Sequence, residues 1–160
     1  MTEEDRLTHL DAHGRLSMVD VSHKPETERV ALARARLLAS PATLDALMSG
    51  ALEKGEAFAA ARLAGILAAK RTGELIPLCH PLPLTRVDVR FSRADDGIDI
   101  EAEAVCVGRT GVEMEAMLAA SVAGLTLYDM AKSKERGMAL KAVRLVEKRG
   151  GKSGLWRREE

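Results

Sequence analysis

Hydrophobic and polar residues alternate with the two-residue period of a β-strand in two neighbouring segments of this chain. The first is residues 84–93 (Leu-Thr-Arg-Val-Asp-Val-Arg-Phe-Ser-Arg) and the second is residues 98–107 (Ile-Asp-Ile-Glu-Ala-Glu-Ala-Val-Cys-Val). The sequence Asp-Asp-Gly at 95–97 is typical of the turn of a β-hairpin. The pattern therefore predicts an antiparallel hairpin, and residues 138–147 predict a further strand late in the chain.

Three other segments have the composition and the boundaries of helices. Ser40 followed by Pro41 is a typical helix start, with Ser as the N-cap and Pro in the first turn, and this helix is predicted to end near Met48. Residues 55–71 are rich in alanine, which predicts a helix that packs closely against a neighbour. Residues 112–131 predict a third and longer helix.

Residues 27–38 are compatible with a strand or a helix, because Val and Leu alternate with small residues while the Ala, Leu and Arg content favours a helix. If they form a strand, the element order is β-α-α-β-β-α-β. This order predicts an α+β fold, a ferredoxin-like antiparallel sheet packed against helices, with one added helix. No internal repeat is visible, so we expect a flexible N-terminal tail over residues 1–16 and a single domain over residues 17–160.

The composition argues against a nucleic-acid-binding or membrane protein. The formal net charge is zero, aromatic side chains that could stack on bases are scarce, and no apolar run is long enough to span a bilayer. Cys79 and Cys106 match no zinc or disulfide spacing, so we interpret them as reduced thiols and expect a cytoplasmic protein without a signal peptide. Residues 130–160 contain ten Lys and Arg against four Glu, which suggests either a nearby anionic ligand or an ordinary solvated edge.

A proline-rich segment, residues 74–84, contains a histidine next to a cysteine (Glu-Leu-Ile-Pro-Leu-Cys-His-Pro-Leu-Pro-Leu). Because proline fixes its own φ and restricts the residue before it, Cys79 and His80 should lie in a stiff, extended turn. An imidazole held in this way is suited to general acid-base catalysis or to anion binding. The alternative is a buried turn in which the histidine bonds to the backbone.

Asp129 and Lys132 lie three positions apart near the end of the long predicted helix, so they share a face if the helix continues through both. Each would shift the pKa of the other, as in a proton-transfer couple. The alternative is a surface ion pair, which contributes under about 1 kcal/mol to stability. The helix dipole disfavours an anion at this end, and that placement favours a functional role for Asp129.

The start of the same helix carries Glu113 and Glu115, which are two positions apart and are expected to point to different sides, with at most one facing a given site. The helix dipole alone also favours carboxylates there. The sequence Gly-Gly-Lys-Ser-Gly at 150–154 lacks the first glycine of a P-loop, which argues against that motif. A glycine-rich turn with a lysine still suits phosphate binding, and Lys54 and Lys70 lie beside other turns or helix ends.

These groups together predict proton transfer on a phosphorylated substrate, with cations holding the phosphate. Two other interpretations stay open. A non-catalytic nucleotide- or phosphate-binding regulatory domain would need the lysines but not Asp129. A metal-binding module would use Cys79, His80 and Cys106, whose spacing is poor for zinc.

Five motifs are similar to those of the MoaC family of molybdenum cofactor biosynthesis, and the resemblance runs from Leu7 through Gly154. The motifs are MVDVS at 18–22, AAKRT at 68–72 leading into LIPLCHPL at 75–82, GVEMEA at 111–116, LTLYDM at 125–130 followed by Lys132, and GGKSG at 150–154. The chain departs from many members at Ala131, where they carry Cys. On these motifs the chain is identified as a member of the family.

The resemblance implies an enzyme, a lyase that converts 3′,8-cyclo-7,8-dihydroguanosine triphosphate to cyclic pyranopterin monophosphate with release of diphosphate and without a redox step. It implies general acid-base catalysis by Asp129, Lys132 and Lys54. The implied substrate-binding residues are Leu78, Cys79, His80, Glu113, Met114, Glu115, Lys148 and Lys70. Arg29 and Lys152 are further candidates for contacts with the phosphates.

The resemblance also implies a homohexamer, a trimer of dimers, with each site at a subunit interface. The expected partner is the small cyclised guanosine triphosphate, and neither nucleic acid nor a membrane. We expect no resident cofactor or metal, and we leave open whether Mg²⁺ accompanies the substrate triphosphate.

Overall fold

The computed structural model describes residues 13–52 and 54–159. Most of the predicted tail, residues 1–12, lies outside the described residues, and residues 13–16 are exposed. The elements in chain order are β1 (Thr27–Leu38), α1 (Pro41–Ser49), α2 (Ala57–Lys70), α3 (Thr72–Leu75), β2 (Leu84–Arg93), β3 (Gly97–Gly108), α4 (Glu113–Ala131), β4 (Ala139–Arg149) and β5 (Trp156–Arg157). The predicted β-α-α-β-β-α-β order is confirmed, and the short α3 and β5 are additions that the sequence pattern did not predict.

The five strands form one antiparallel sheet in the order β2-β3-β1-β4-β5. The ambiguous segment 27–38 is therefore a strand, and it occupies the centre of the sheet between β3 and β4. Ala31, Ala33, Ala35 and Leu37 are buried on one face of β1. Pairing on both sides, together with burial of every second residue, outweighs the helix propensity of the alanines. The predicted α+β class is confirmed.

Helices α2 and α4 pack against each other and against the sheet. Their contact depends on small side chains, since a Cβ atom on Gly65 of α2 would lie 2.9 Å from the carbonyl oxygen of Ala119 in α4. This confirms the predicted close packing of the alanine-rich helix. Within the described ranges, no helix is both long and apolar enough to cross a membrane.

The start of α1 differs in one detail from the prediction. Ser40 occupies the N-cap position, but its side chain makes no capping hydrogen bond. Its hydroxyl donates instead to the carboxylate of Glu135, at 2.8 Å, and its backbone N–H donates to the same carboxylate. Because Glu135 follows α4, this contact joins the start of α1 to the segment after α4.

The face of the sheet opposite the helices carries a network of ion pairs between neighbouring strands. Arg34 and Arg90 lie 2.8 and 2.9 Å from Glu101, and Arg36 lies 2.6 Å from Asp99. The network lines a shallow depression of about 890 Å³. Such cross-strand pairs favour the observed register. The depression contains none of the predicted site residues.

Candidate functional site

The long helix α4 carries predicted site residues at both of its ends. Glu113, Met114 and Glu115 lie in its first turn, and Asp129 lies in its last turn. The 16 residues from Glu113 to Asp129 correspond to about 24 Å along the helix axis. Two groups this far apart on one chain cannot contact the same reacting atom. The predicted residues therefore form two clusters, which we call the N-terminal cluster and the C-terminal cluster of α4.

The C-terminal cluster consists of Lys54, Asp129 and Lys132. Lys132 Nζ lies 2.6 Å from Asp129 Oδ1, which confirms the predicted sharing of a helix face. Lys54 comes from the segment between α1 and α2, and its Nζ donates to Asp129 Oδ2 and to the Asp129 carbonyl oxygen, both at 2.8 Å. The structure thus brings all three predicted catalytic residues together.

The two lysines control the charge of Asp129. Hydrogen bonds from Lys132 and then from Lys54 lower the pKa of the Asp129 carboxyl to about 2. The hydrogen bond between Lys132 and Asp129 also raises the pKa of the Lys132 ammonium. All three side chains are about half exposed. At neutral pH the cluster is therefore an open lysine-aspartate-lysine arrangement in which the aspartate is ionised.

The N-terminal cluster surrounds a cavity of about 380 Å³, which we call the carboxylate pocket. Its lining includes the predicted substrate-binding residues Leu78, Cys79, His80, Glu113, Met114 and Glu115. Both glutamates line it, so the expectation that at most one of them faces a given site is wrong. The pocket extends around the end of α4, where residues on adjacent sides of the first turn both reach it.

His80 and Cys79 lie outside any helix, as the flanking prolines predicted. The Nε2 atom of His80 lies 2.9 Å from the carbonyl oxygen of Val19, so Nε2 is the donor. This contact, a histidine bonded to the backbone, is the predicted alternative to a functional role. The same bond ties the segment that contains Val19 to His80, and Val19 and Val21 both line the pocket.

Burial sets the protonation states inside the carboxylate pocket. The Glu115 residue is only 3% exposed, and this burial raises the pKa of its carboxyl to about 7, with the charge of Glu113 acting in the same direction. Burial also raises the pKa of the Cys79 and Cys106 thiols. The thiols are therefore protonated at neutral pH, which argues against Cys79 as a nucleophile.

A second cavity of about 1210 Å³ adjoins the carboxylate pocket, and we call it the cationic basin. Five basic side chains line it, and Glu113 is its one carboxylate among the described lining residues. The basic residues are Lys24, Arg29, Arg109, Lys148 and Lys152. The two cavities share Lys24, Thr110, Gly111 and Glu113, so a single ligand can extend from one into the other. Such a concentration of positive charge suits a polyphosphate.

Lys148 and Glu113 form the boundary between these two cavities. Lys148 Nζ lies 3.0 Å from Glu113 Oε1, and both side chains are about 30% exposed. An anion that enters the basin competes with Glu113 for Lys148. The pair therefore couples the occupancy of the basin to the charge at the edge of the carboxylate pocket.

Lys70 is the predicted residue that the structure does not bring to either cluster. It is exposed at the end of α2 and lines neither the carboxylate pocket nor the cationic basin. Conversely, Lys24 and Arg109 line the basin and were missed. Arg109 stands directly before the Thr-Gly that precedes α4, but scattered single cations carry no spacing signal in a sequence.

A metal site would require a cluster of ligating side chains among the described residues. Among residues 13–52 and 54–159, no three His, Cys, Asp or Glu side chains are arranged to hold a metal ion. Cys79, His80 and Cys106 therefore do not form the site that the metal-binding interpretation needs. Both cysteines are free, Cys79 half-buried and Cys106 buried.

Comparison with protein families gives a match over most of the chain. The model of the MoaC family matches residues 18–151, which include both clusters and the lining of the basin except for Lys152 and Ser153. The chain belongs to the MoaC family. The membership predicted from the five motifs is thereby confirmed.

Relatives in the MoaC family carry a common enzyme name. Cyclic pyranopterin monophosphate synthase of Thermomicrobium roseum is 57% identical over 156 residues, which cover 96% of this chain and 94% of that protein. The synthase of Novosphingobium aromaticivorans is 57% identical over 96% of this chain and 98% of its own length. That of Chloroflexus aggregans is 53% identical over 98% of this chain and 96% of its own.

Proposed function

We propose that this protein is a cyclic pyranopterin monophosphate synthase of molybdenum cofactor biosynthesis. It converts 3′,8-cyclo-7,8-dihydroguanosine triphosphate to cyclic pyranopterin monophosphate and releases diphosphate. The observation that carries the proposal is the cationic basin that opens into a pocket with a histidine and two carboxyl groups. This pair of cavities fits a ligand with a polyphosphate at one end and a polar ring at the other.

The proposed roles follow from the surroundings of each group. Lys148, Arg29 and Lys152 hold phosphates in the cationic basin, where positive charge is concentrated. His80 and the Glu115 carboxyl contact the ring in the carboxylate pocket, together with Leu78, Cys79, Glu113 and Met114. A carboxyl with a pKa of about 7 can donate or accept a hydrogen bond near neutral pH.

Asp129, Lys132 and Lys54 are the proposed acid-base groups. The ionised Asp129 orients two ammonium groups at 2.6 and 2.8 Å, and either lysine can donate a proton to a developing oxyanion and recover it later. Because about 24 Å separates this cluster from the basin along α4, we infer that a second copy of the chain supplies one of the two clusters.

An assembly of copies is consistent with the apolar side chains on the helical face. Leu63 and Leu67, one turn apart on α2, are 59% and 46% exposed, and Leu125 on α4 is 56% exposed. Exposed apolar groups in such numbers favour contacts between proteins. The proposed assembly is the hexamer that the family resemblance implies, a trimer of dimers in the cytoplasm.

The alternative of a non-catalytic nucleotide- or phosphate-binding regulatory domain is not favoured. It uses the cationic basin but gives no role to the Lys54–Asp129–Lys132 arrangement. The test is turnover of the cyclised guanosine triphosphate, followed as pyranopterin and diphosphate formation, by the natural protein and by Asp129→Asn. We expect product from the first and a loss of about 10²–10⁴-fold in kcat in the second.

Lys134→Ala is the matched control, since Lys134 lies in the segment after α4 and belongs to neither cluster. Undiminished turnover by Asp129→Asn would remove Asp129 from the chemistry. Absence of turnover by the natural protein, with triphosphate binding intact, would support the regulatory alternative. The proposal needs no resident cofactor, and turnover in the presence of EDTA tests whether Mg²⁺ accompanies the triphosphate.

A further inference from the structure

Arg29 is held in one orientation at the wall of the cationic basin. Its Nε donates to the carbonyl oxygen of Gly108 at 3.1 Å, and its Nη2 donates to the carbonyl oxygen of Arg109 at 3.3 Å. Within the described chain, its third nitrogen, Nη1, has no protein acceptor. The two carbonyl groups fix the plane of the guanidinium before any ligand arrives, so binding costs little side-chain entropy.

The side of Arg29 that carries Nη1 lies directly against Gly151. The backbone of Gly151 has φ +71, and a Cβ atom built there would overlap Nη1 and would lie 2.7 Å from Cζ and 3.0 Å from Nη2 of Arg29. The guanidinium therefore occupies the space that any side chain at position 151 would need. Gly151 and Arg29 both line the cationic basin, next to Lys148 and Lys152.

We propose that Gly151 is a positioning residue for phosphate recognition, which leaves room for the Arg29 guanidinium to lie against the 150–154 turn and offer Nη1 to the diphosphate portion of the substrate. This inference rests on the proposed function, in which that diphosphate is the leaving group. A fixed guanidinium with one free donor edge, beside two lysines, recognises a charged pair of phosphates better than mobile lysines alone.

The chain provides a matched control in the same turn. Gly154 also has a positive φ, +62, but nothing lies within 4 Å of a Cβ atom built on it. It lines neither the basin nor the carboxylate pocket. Gly154→Ala therefore introduces a comparable backbone strain without touching Arg29, whereas Gly151→Ala introduces the strain and displaces the guanidinium.

The experiment is calorimetric titration of the full-length protein with inorganic diphosphate. We expect Gly151→Ala to weaken the affinity at least about tenfold and Gly154→Ala to change it less than about twofold, with thermal unfolding as the check that both variants are folded. In an Arg29→Ala background, adding Gly151→Ala should weaken binding no further, because its target is gone. With the cyclised triphosphate, Gly151→Ala should raise KM and leave kcat within about threefold of the natural value.

Three results would overturn the proposal: natural affinity in Gly151→Ala, an equal loss in Gly154→Ala, or an undiminished effect of Gly151→Ala in the Arg29→Ala background. If Gly151→Ala does not fold, Arg29→Lys replaces it, because lysine keeps the charge but not the fixed fork, and natural affinity in that variant would equally refute the proposal. The titration needs no turnover, so a natural protein that binds diphosphate as expected but makes no product would refute the proposed function alone.

Discussion

The two ends of α4 carry carboxyl groups in opposite environments. At the N-terminal end, Glu115 is 3% exposed, and its burial raises the pKa to about 7. At the C-terminal end, the side chain of Asp129 is 53% exposed, and hydrogen bonds from Lys132 and Lys54 lower its pKa to about 2. The Glu115 carboxyl thus titrates near neutral pH, whereas the Asp129 carboxyl is ionised there and is protonated only in strong acid.

We propose that this difference separates two tasks along one helix. Groups whose surroundings push their pKa values apart are the usual basis for dividing acid and base roles in an active site. The N-terminal end is concave, with two connected cavities, and is shaped to bind. At the C-terminal end, Asp129 is exposed and already paired with its lysines, and we propose that this end becomes a site when another element covers it. A second subunit is the covering element that we propose.

The largest effect is expected on turnover, when two variants that are each inactivated at a different end of α4 are mixed. Asp129→Asn removes the carboxylate of the C-terminal cluster, and Lys148→Ala removes the basin cation that pairs with Glu113 at the N-terminal end of α4, so each alone should lose about 10²-fold or more in kcat. If each site takes one end from each of two subunits, unfolding and reassembly of an equal mixture should restore about a quarter of the natural activity. Turnover before and after reassembly measures this.

This experiment has two kinds of control. Each variant is unfolded and reassembled alone, and the two variants are mixed without reassembly. None of these samples should gain activity. Native mass spectrometry of differently tagged copies shows whether mixed oligomers have formed. If mixed oligomers form and activity stays at background, the two ends do not belong to one shared site, and the comparison between them loses its functional meaning.

The regular part of the fold could be predicted from the sequence because its signals are local. The hairpin predicted over residues 84–93 and 98–107 agrees with β2 and β3 within one residue at each end. The strand β5 was missed, since two residues are too few to show a period and they form a strand only by pairing with β4. The identity of β1 depended on neighbours far along the chain, which alternation alone does not reveal.

The site was predictable to a different degree at its two ends. The contact between Asp129 and Lys132 followed from helical spacing, whereas the approach of Lys54 from 75 residues away was implied only by the family resemblance. The basin was predicted in part through Arg29, Lys148 and Lys152. Its remaining cations are single residues from separate segments, and only the fold brings them to one cavity.

The next largest effect is expected on stability, from Glu115→Gln. Because the folded-state pKa of about 7 lies above the ordinary value of 4.5, the folded protein binds the proton more tightly than the unfolded chain. The natural protein should therefore lose stability as the pH rises from about 4.5 through 7, by up to about 3 kcal/mol. Glutamine cannot ionise, so the variant should be the more stable protein at pH 8.

Urea unfolding at pH 5 and pH 8 measures this difference for both proteins. Glu113→Gln is the matched control, because Glu113 is partly exposed and paired with Lys148. The quantity to compare is the change in the free energy of unfolding between pH 5 and pH 8. If this change is the same for the natural protein and for Glu115→Gln, burial does not hold a proton on Glu115. The contrast between the two ends of α4 would then be one of exposure only.

The smallest effect is expected on the stability of Asp129→Asn. The carboxylate is exposed and its ion pairs are screened by water, while Lys54 keeps its bond to the backbone carbonyl of residue 129. Because the folded-state pKa of about 2 lies below the ordinary 3.8, any stability from the charge is complete above 3.8 and is lost only as the pH falls toward 2. Urea unfolding should therefore give the same free energy of unfolding for this variant and the natural protein at pH 5 and at pH 7.

A large loss of stability at either pH would make the lysine–aspartate cluster a structural element. The loss of turnover in Asp129→Asn would then no longer identify a catalytic residue.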